Sequence, residues 1–140
     1  MLFRSRVHRW AEAMVLSNHE RDAMLHALQA REALRERWCS LGVAARKRLA
    51  AGPGFDDGLA LLRTEDAALA AQIADDLAPL RTSGLAPEPL IDGHVLQGLG
   101  LHPGPEFRRI LDAVYDAQLE GRVQHPEQAR LLALQLSGKR

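Results

Sequence analysis

A rigid turn in the C-terminal third is the part of the sequence best suited to binding an anion. Pro103-Gly104-Pro105 is followed directly by Glu106, Phe107, Arg108 and Arg109. Proline favours the first position of a helix, where its missing N–H costs nothing, so a helix is predicted to begin at Pro105. The amides of Glu106, Phe107 and Arg108 then lie at the partly positive helix end, with the two arginines beside them. We therefore expect a phosphate group to bind at this turn, around Gly104.

A second group of charges, Arg46-Lys47-Arg48, lies on a predicted third helix. Three consecutive side chains spread over most of a helix circumference, so they cannot all touch one surface. We expect one or two of them to contact the backbone of a polyanion, and a solvated helix face is the alternative. The turn at residues 103–105 has an alternative too, because a plain corner between two helices is made from the same residues.

Patterns typical of catalytic or metal sites are missing. No two of the six histidines stand four residues apart with an acid between them, and Cys39 is the single cysteine. Neither a zinc site nor an internal disulfide is therefore expected. Cys39 is predicted to be a small buried residue. We expect no enzyme active site, no metal and no cofactor.

Charge is segregated along the chain, although the net charge is zero. Residues 1–52 carry ten Lys and Arg against five acids, residues 53–92 carry two against eight, and residues 93–140 carry six against five. A basic N-terminal third is typical of a protein that meets a polyanion, while a solvated helix face gives the same count. Charge alone leaves both interpretations open.

Composition predicts an all-α fold. The chain has six aromatic residues, few β-branched residues and many Ala and Leu, so helices are favoured over strands. We expect an array of about six to eight helices. Apolar spacing predicts a helix over residues 3–15 with Trp10 and Met14 on its apolar side, and a long helix up to about Trp38. Both tryptophans could stack on bases, but their positions in phase with apolar residues favour packing in a core.

Local signals predict where the helices begin and end. Ser17 with Glu20 three residues later forms a capping box. Asp92 is predicted to cap a short helix that Gly100 ends. Ser40 and Thr64 are predicted to cap the next helices, and Pro79 is predicted to end or kink a helix near Ala78.

The segment Thr82–Pro89 contains Gly84, Pro87 and Pro89 and is predicted to be a linker. It divides a body, residues 1–88, from a tail, residues 89–140. No apolar run is long enough to cross a membrane, and the first ten residues lack the apolar core of a secretory signal. A cytoplasmic location is expected.

The tail resembles the C-terminal region of bacterial tRNA nucleotidyltransferases, the CCA-adding enzymes, and of the related poly(A) polymerases. The matching residues are Ile91–Leu96, Leu99-Gly100-Leu101, Pro103-Gly104-Pro105, Ile110-Leu111, Ala117–Gly121 and a second acidic helix start near Glu127. Upstream, Ser17-Asn18-His19-Glu20-Arg21 is similar to a helix entry in the body of the same enzymes. Arg108 stands where these enzymes usually carry a small residue, and His125-Pro126 replaces their usual Thr and acid.

The catalytic elements of that family have no counterpart here. A Gly-Ser turn with an Asp-x-Asp pair and a base-reading Glu-Asp-x-x-Arg element are both missing, and Asp56-Asp57 and Asp75-Asp76 are adjacent rather than alternating. The resemblance therefore implies a non-catalytic module that binds tRNA or another structured RNA. It also implies a catalytic nucleotidyltransferase subunit, separately encoded, as a possible partner. A helical protein-interaction or structural domain without RNA binding is the alternative.

Overall fold

The computed structural model describes residue 6, residues 9 and 10, and residues 13–138. The described residues form seven complete α-helices and no strand, which confirms the all-α prediction. The helices are α1 (Asn18–Arg37), α2 (Val43–Ala50), α3 (Phe55–Glu65), α4 (Ala67–Thr82), α5 (Gly93–Gly98), α6 (Pro105–Leu119) and α7 (Pro126–Leu136). A short 3₁₀ helix, Trp38–Ser40, follows α1. The helix predicted over residues 3–15 lies largely outside the described residues, although residues 6, 9, 10 and 13 are helical.

The capping box at the start of α1 is confirmed. The Ser17 hydroxyl accepts from the Glu20 amide at 3.3 Å, and the Glu20 carboxylate accepts from the Ser17 amide at 2.8 Å. This second hydrogen bond stabilises the ionised carboxylate and so lowers the pKa of Glu20. The first turn of α1 is thereby closed by two side chains that are three residues apart.

Two predictions between α1 and α2 are wrong. Ser40 does not cap α2, because its hydroxyl donates to the Arg37 carbonyl at 2.8 Å within the 3₁₀ helix, and Gly42 precedes α2 instead. Such a local bond to a carbonyl three residues back competes with capping. Cys39, predicted to be buried, is exposed on the same short helix.

The start of α4 also differs from the prediction. Thr64 lies inside α3, where its hydroxyl donates to the Leu61 carbonyl at 2.7 Å. Asp66 caps α4 instead, because its carboxylate accepts from the Leu69 amide at 3.0 Å. Pro79 does not end α4, which continues to Thr82. Pro79 stands in the last turn, so little helix lies beyond the hydrogen bond that it removes.

Two apolar cores lie on either side of the segment 82–89. The body core is formed by α1, α3 and α4 and consists of Leu34, Trp38, Phe55, Leu59, Leu62, Ala70, Ile73 and Leu77. The tail core is formed by α5, α6, α7 and their connections and consists of Ile91, Leu96, Ile110, Val114, Ala117, Val123, Ala129 and Ala133. The division into body and tail at residue 88 stays a prediction, and these two cores agree with it.

The two tryptophans have opposite environments. Trp38 is fully buried in the body core, as predicted. Trp10 is 63% exposed and Met14 is 56% exposed, so the prediction that both pack in a core is wrong. Apolar spacing marks one face of a helix, but it does not show whether another element covers that face.

Helices α1 and α3 approach each other at backbone distance. A Cβ atom added to Gly58 would lie 2.7 Å from the Ala30 Cβ and 2.7 Å from the Arg31 amide nitrogen. A Cβ atom added to Gly54, just before α3, would lie even closer to the backbone of α1, at the carbonyl carbon of His26. Gly54 also adopts a positive φ of 73°. The two helices can therefore pack this closely only because both positions lack a side chain.

Candidate functional site

The short helix before the turn at residues 103–105 begins and ends as predicted. The Asp92 carboxylate accepts from the Val95 amide at 3.0 Å and caps α5. Gly100 follows the helix with a positive φ of 78°, and the Leu101 amide donates back to the Leu96 carbonyl at 3.1 Å. This is the pattern of a Schellman motif. The direction in which the chain enters the turn at residues 103–105 is therefore fixed by hydrogen bonds.

Helix α6 begins with Pro105 at its first position, as predicted, and no side chain caps it. Gly104 is extended there, with a φ of 170° that any residue adopts. The Phe107 amide donates to the Gly104 carbonyl at 3.0 Å. One of the three amides predicted to meet a phosphate is therefore already used inside the first turn.

An ion pair inside the first turn of α6 holds Arg109. Its Nε donates to the Glu106 Oε2 at 3.0 Å, and its Nη2 donates to the Glu106 Oε1 and to the Leu136 carbonyl. The hydrogen bond from Arg109 lowers the pKa of Glu106, and the carboxylate in turn raises the pKa of Arg109. Both groups are therefore charged at neutral pH, and the negative charge of Glu106 lies in the first turn of α6, where a phosphate was expected.

Arg108 is the most exposed cation of the turn, with 91% of its side chain accessible. Its Nε lies 4.0 Å from the Asp112 Oδ2, one turn along α6. An exposed pair at this spacing contributes little to stability. Arg108 is consequently available for a partner in solution.

Phe107 anchors the turn from the inside. It is partly buried and packs against the tail core. A Cβ atom on Gly93 would lie 3.2 Å from the Phe107 ring, so α5 lies directly against this side chain. Phe107 therefore contributes to the site by positioning it.

Two members of the predicted basic group on α2, Arg46 and Lys47, are turned inward. Arg46 donates from Nε to the Trp38 carbonyl at 3.2 Å, lies 3.5 Å from the Asp76 carboxylate and stacks 5.1 Å above the Trp38 ring. Lys47 is only 4% exposed. Neither cation is therefore presented on the surface of the body, where the sequence predicted contact with the backbone of a polyanion.

Arg48 joins the body to the tail. Its Nε donates to the Asp116 carboxylate at 2.7 Å, and its guanidinium lies 5.0 Å above the Tyr115 ring. Two neighbouring side chains of α6 hold the linker: the Tyr115 hydroxyl donates to the Pro87 carbonyl at 2.9 Å, and the Gln118 amide donates to the Glu88 carbonyl at 2.8 Å. Nothing local in the sequence marks this junction, because the partners of Arg48 lie on another element.

Some of the segregated charges of the sequence meet one another in the fold. Arg31 on α1 donates to the Glu65 carboxylate at 2.8 Å. The pair of Arg46 with Asp76 likewise joins the basic N-terminal third to the acidic middle segment. Part of the basic surplus is thus internal, and the surface available to a polyanion is smaller than the charge count indicates.

No three His, Cys, Asp or Glu side chains among the described residues are placed to hold a metal ion. Within the same part of the chain, no helix is both long enough and apolar enough to span a membrane. Comparisons with protein-family models, with curated proteins and with solved structures find no match to this chain. The resemblance to the tRNA nucleotidyltransferases therefore rests on the residues quoted above.

Proposed function

We propose that this chain is a non-catalytic RNA-binding module that grips the phosphate backbone of a tRNA-type RNA. The observation that carries the proposal is the hairpin of α5 and α6. Its turn is fixed on the α5 side by the Schellman motif, it packs on the tail core, and Arg108 is almost fully exposed beside the uncapped start of α6. A-form RNA is recognised chiefly by shape, phosphates and 2′-hydroxyls, which suits a fixed helical surface. The tail residues quoted for the resemblance form this hairpin and the helix that follows it.

Two groups of this turn have different roles in the proposal. Arg108 contacts phosphate directly. Arg109 is paired with Glu106, so only part of its positive charge acts on the RNA. Gly104 supplies a surface without a side chain, so a phosphate can approach the backbone. The basic group on α2 has its contacts within the protein: Arg46 and Arg48 have internal partners and Lys47 is buried. The proposed RNA-binding surface therefore lies in the tail.

Charge reversal at Arg108 is expected to weaken binding of unmodified tRNA by about 1 to 2 kcal/mol, because a charge-assisted contact to phosphate is replaced by repulsion. The slope of log K against log salt should also become shallower by about one. Fluorescence anisotropy at low salt over a range of salt concentrations measures both effects for Arg108→Glu.

Arg63→Glu is the matched control, because it changes the net charge equally at an exposed position on α3 in the body. Equal losses in both variants would mean that only overall charge matters. A wild-type protein that does not bind tRNA at low salt would remove the RNA-binding proposal altogether.

Releasing Arg109 is expected to strengthen binding. Glu106→Gln removes the negative charge beside the helix end and the partner that holds Arg109, so tRNA affinity should rise by about 2-fold to 5-fold, the scale of one exposed charge pair. The same anisotropy titration measures the gain, and Glu127→Gln, in the first turn of α7, is the control. An unchanged or lower affinity for Glu106→Gln would show that no phosphate approaches this turn.

A helical protein-interaction or structural domain without RNA binding is the second candidate. Internal pairing of the segregated charges favours it, because the pairs Arg31 with Glu65 and Arg46 with Asp76 explain part of the basic surplus without a polyanion. Absence of tRNA binding at low salt would leave this candidate in place.

A further inference from the structure

Trp10 presents an aromatic ring to solvent. It is 63% exposed, whereas the other aromatic side chains of the described residues are buried or partly buried. Burying an aromatic ring is strongly favourable. A ring left in solvent beside other exposed apolar groups is therefore a candidate binding surface.

Cations accompany this ring. Arg6 and Arg9 are exposed, and residues 6, 9 and 10 are helical. Four positions separate Arg6 from Trp10, which is the spacing of side chains that share one face of a helix. The Met14 amide donates to the Trp10 carbonyl at 3.0 Å, which continues the helical turn toward Met14. A stripe of Arg6, Trp10 and Met14 thus combines a positive charge, a flat ring and a polarisable thioether.

We propose that Trp10 is a stacking platform for an unpaired base of the bound RNA, with Arg6 and Arg9 contacting the adjacent phosphates. This inference rests on the proposed function and adds to it: the RNA carries a single-stranded segment besides the duplex that the tail grips. Stacking on an aromatic ring is sequence-tolerant, because every base has a π-face, and a positively charged surface that follows the backbone is its usual companion.

The charge around the ring selects this ligand over an uncharged apolar partner. Among the described residues before Ser17, the charged side chains are Arg6 and Arg9, both exposed, so this surface favours an anionic ligand. A nucleotide supplies a flat apolar base and a phosphate at neighbouring positions, which matches a ring and a cation four residues apart on one helix face.

Binding of two RNA hairpins tests the inference. One hairpin is blunt, and the other carries a 3′ overhang of several adenines. The wild-type chain should bind the overhang hairpin more tightly, and Trp10→Ala should weaken that binding by about 5-fold to 100-fold while leaving the blunt hairpin unchanged. Leu131→Ala, which truncates an apolar side chain 62% exposed on α7, is the control and should change neither affinity.

Tryptophan fluorescence gives an independent measurement on the full chain. Trp38 is fully buried and Trp10 exposed, so acrylamide should quench mainly Trp10 in the free protein. The overhang hairpin should protect that emission from quenching, and the blunt hairpin should not. Circular dichroism of Trp10→Ala should match that of the wild type, since the side chain is exposed.

Three other outcomes would overturn the inference, and each has a different consequence. Equal affinity for both hairpins, with no effect of Trp10→Ala, removes the stacking platform and leaves the tail as the RNA-binding surface. Failure to bind either hairpin removes the proposed function and the platform together. A blue shift of Trp10 emission with phosphatidylglycerol vesicles, without protection by RNA, assigns the exposed stripe to a lipid surface.

Discussion

Replacing Trp38 by alanine is expected to lower the free energy of unfolding by about 4 kcal/mol, within the range found for removing a buried tryptophan. Trp38 is fully buried, its ring lies 6.3 Å from that of Phe55, and the Arg46 guanidinium stacks 5.1 Å above it. Its Nε1 also donates to the Asp76 carboxylate at 2.9 Å. The substitution therefore leaves a cavity and removes a hydrogen bond to a charged group. Urea denaturation followed by far-ultraviolet circular dichroism measures the loss.

Trp38→Phe separates the two contributions. It keeps most of the apolar volume but cannot donate to Asp76, whose remaining partner is Arg46 at 3.5 Å. A loss of about 1.5 to 3 kcal/mol is expected from that hydrogen bond, with a smaller term for the volume difference. A loss below about 1 kcal/mol for Trp38→Ala would mean that the body core does not depend on this residue.

Helix boundaries were predictable where the deciding residues are neighbours in sequence. Ser17 and Glu20 cap α1, Asp92 caps α5, and Pro105 begins α6, all as the sequence indicates. In each case the donor and acceptor stand within a few residues, so local chemistry fixes the outcome. Ser40 was mispredicted for a local reason as well, because its hydroxyl had a competing carbonyl three residues back.

Side-chain partners distant in sequence were not predictable. Arg46 pairs with Asp76, and Arg48 with Asp116 on another helix. A run of basic residues looks the same in sequence whether it faces a polyanion or a carboxylate of its own fold. Trp10 shows the converse, because its apolar spacing indicated a core position while the structure leaves it exposed.

The candidate site was likewise predictable only in its locally determined part. Its backbone frame, from the Asp92 cap to the first turn of α6, follows from local signals. Its electrostatics do not, because the sequence placed Arg108 and Arg109 together as phosphate ligands while the structure separates them. Arg109 is held by Glu106 and the Leu136 carbonyl, and Arg108 is exposed. The two arginines therefore respond differently to substitution, which is why Arg108→Glu and Glu106→Gln are informative together.

Adding one methyl group at Gly58 is expected to lower the free energy of unfolding by about 3 kcal/mol, at the upper end of the range for overpacking. The new Cβ would lie 2.7 Å from the Arg31 amide nitrogen and 2.8 Å from the Ala27 carbonyl oxygen. Both are backbone atoms of α1, so no rotamer change relieves the contact and the two helices must separate. Separation opens the body core, where Leu34 of α1 packs in one buried cluster with Leu62 of α3.

The sign of this effect makes it a sharp test of the α1–α3 packing. Alanine is favoured over glycine inside a helix by about 1 kcal/mol, so Gly58→Ala would stabilise the protein if α3 were not in contact with α1. Gly98→Ala provides that reference, because an added Cβ at the end of α5 meets nothing within 4 Å. We expect Gly98→Ala to leave the melting temperature unchanged or slightly raised and Gly58→Ala to lower it on the order of 10 °C. Equal melting temperatures for the two variants would contradict the close approach of α1 and α3.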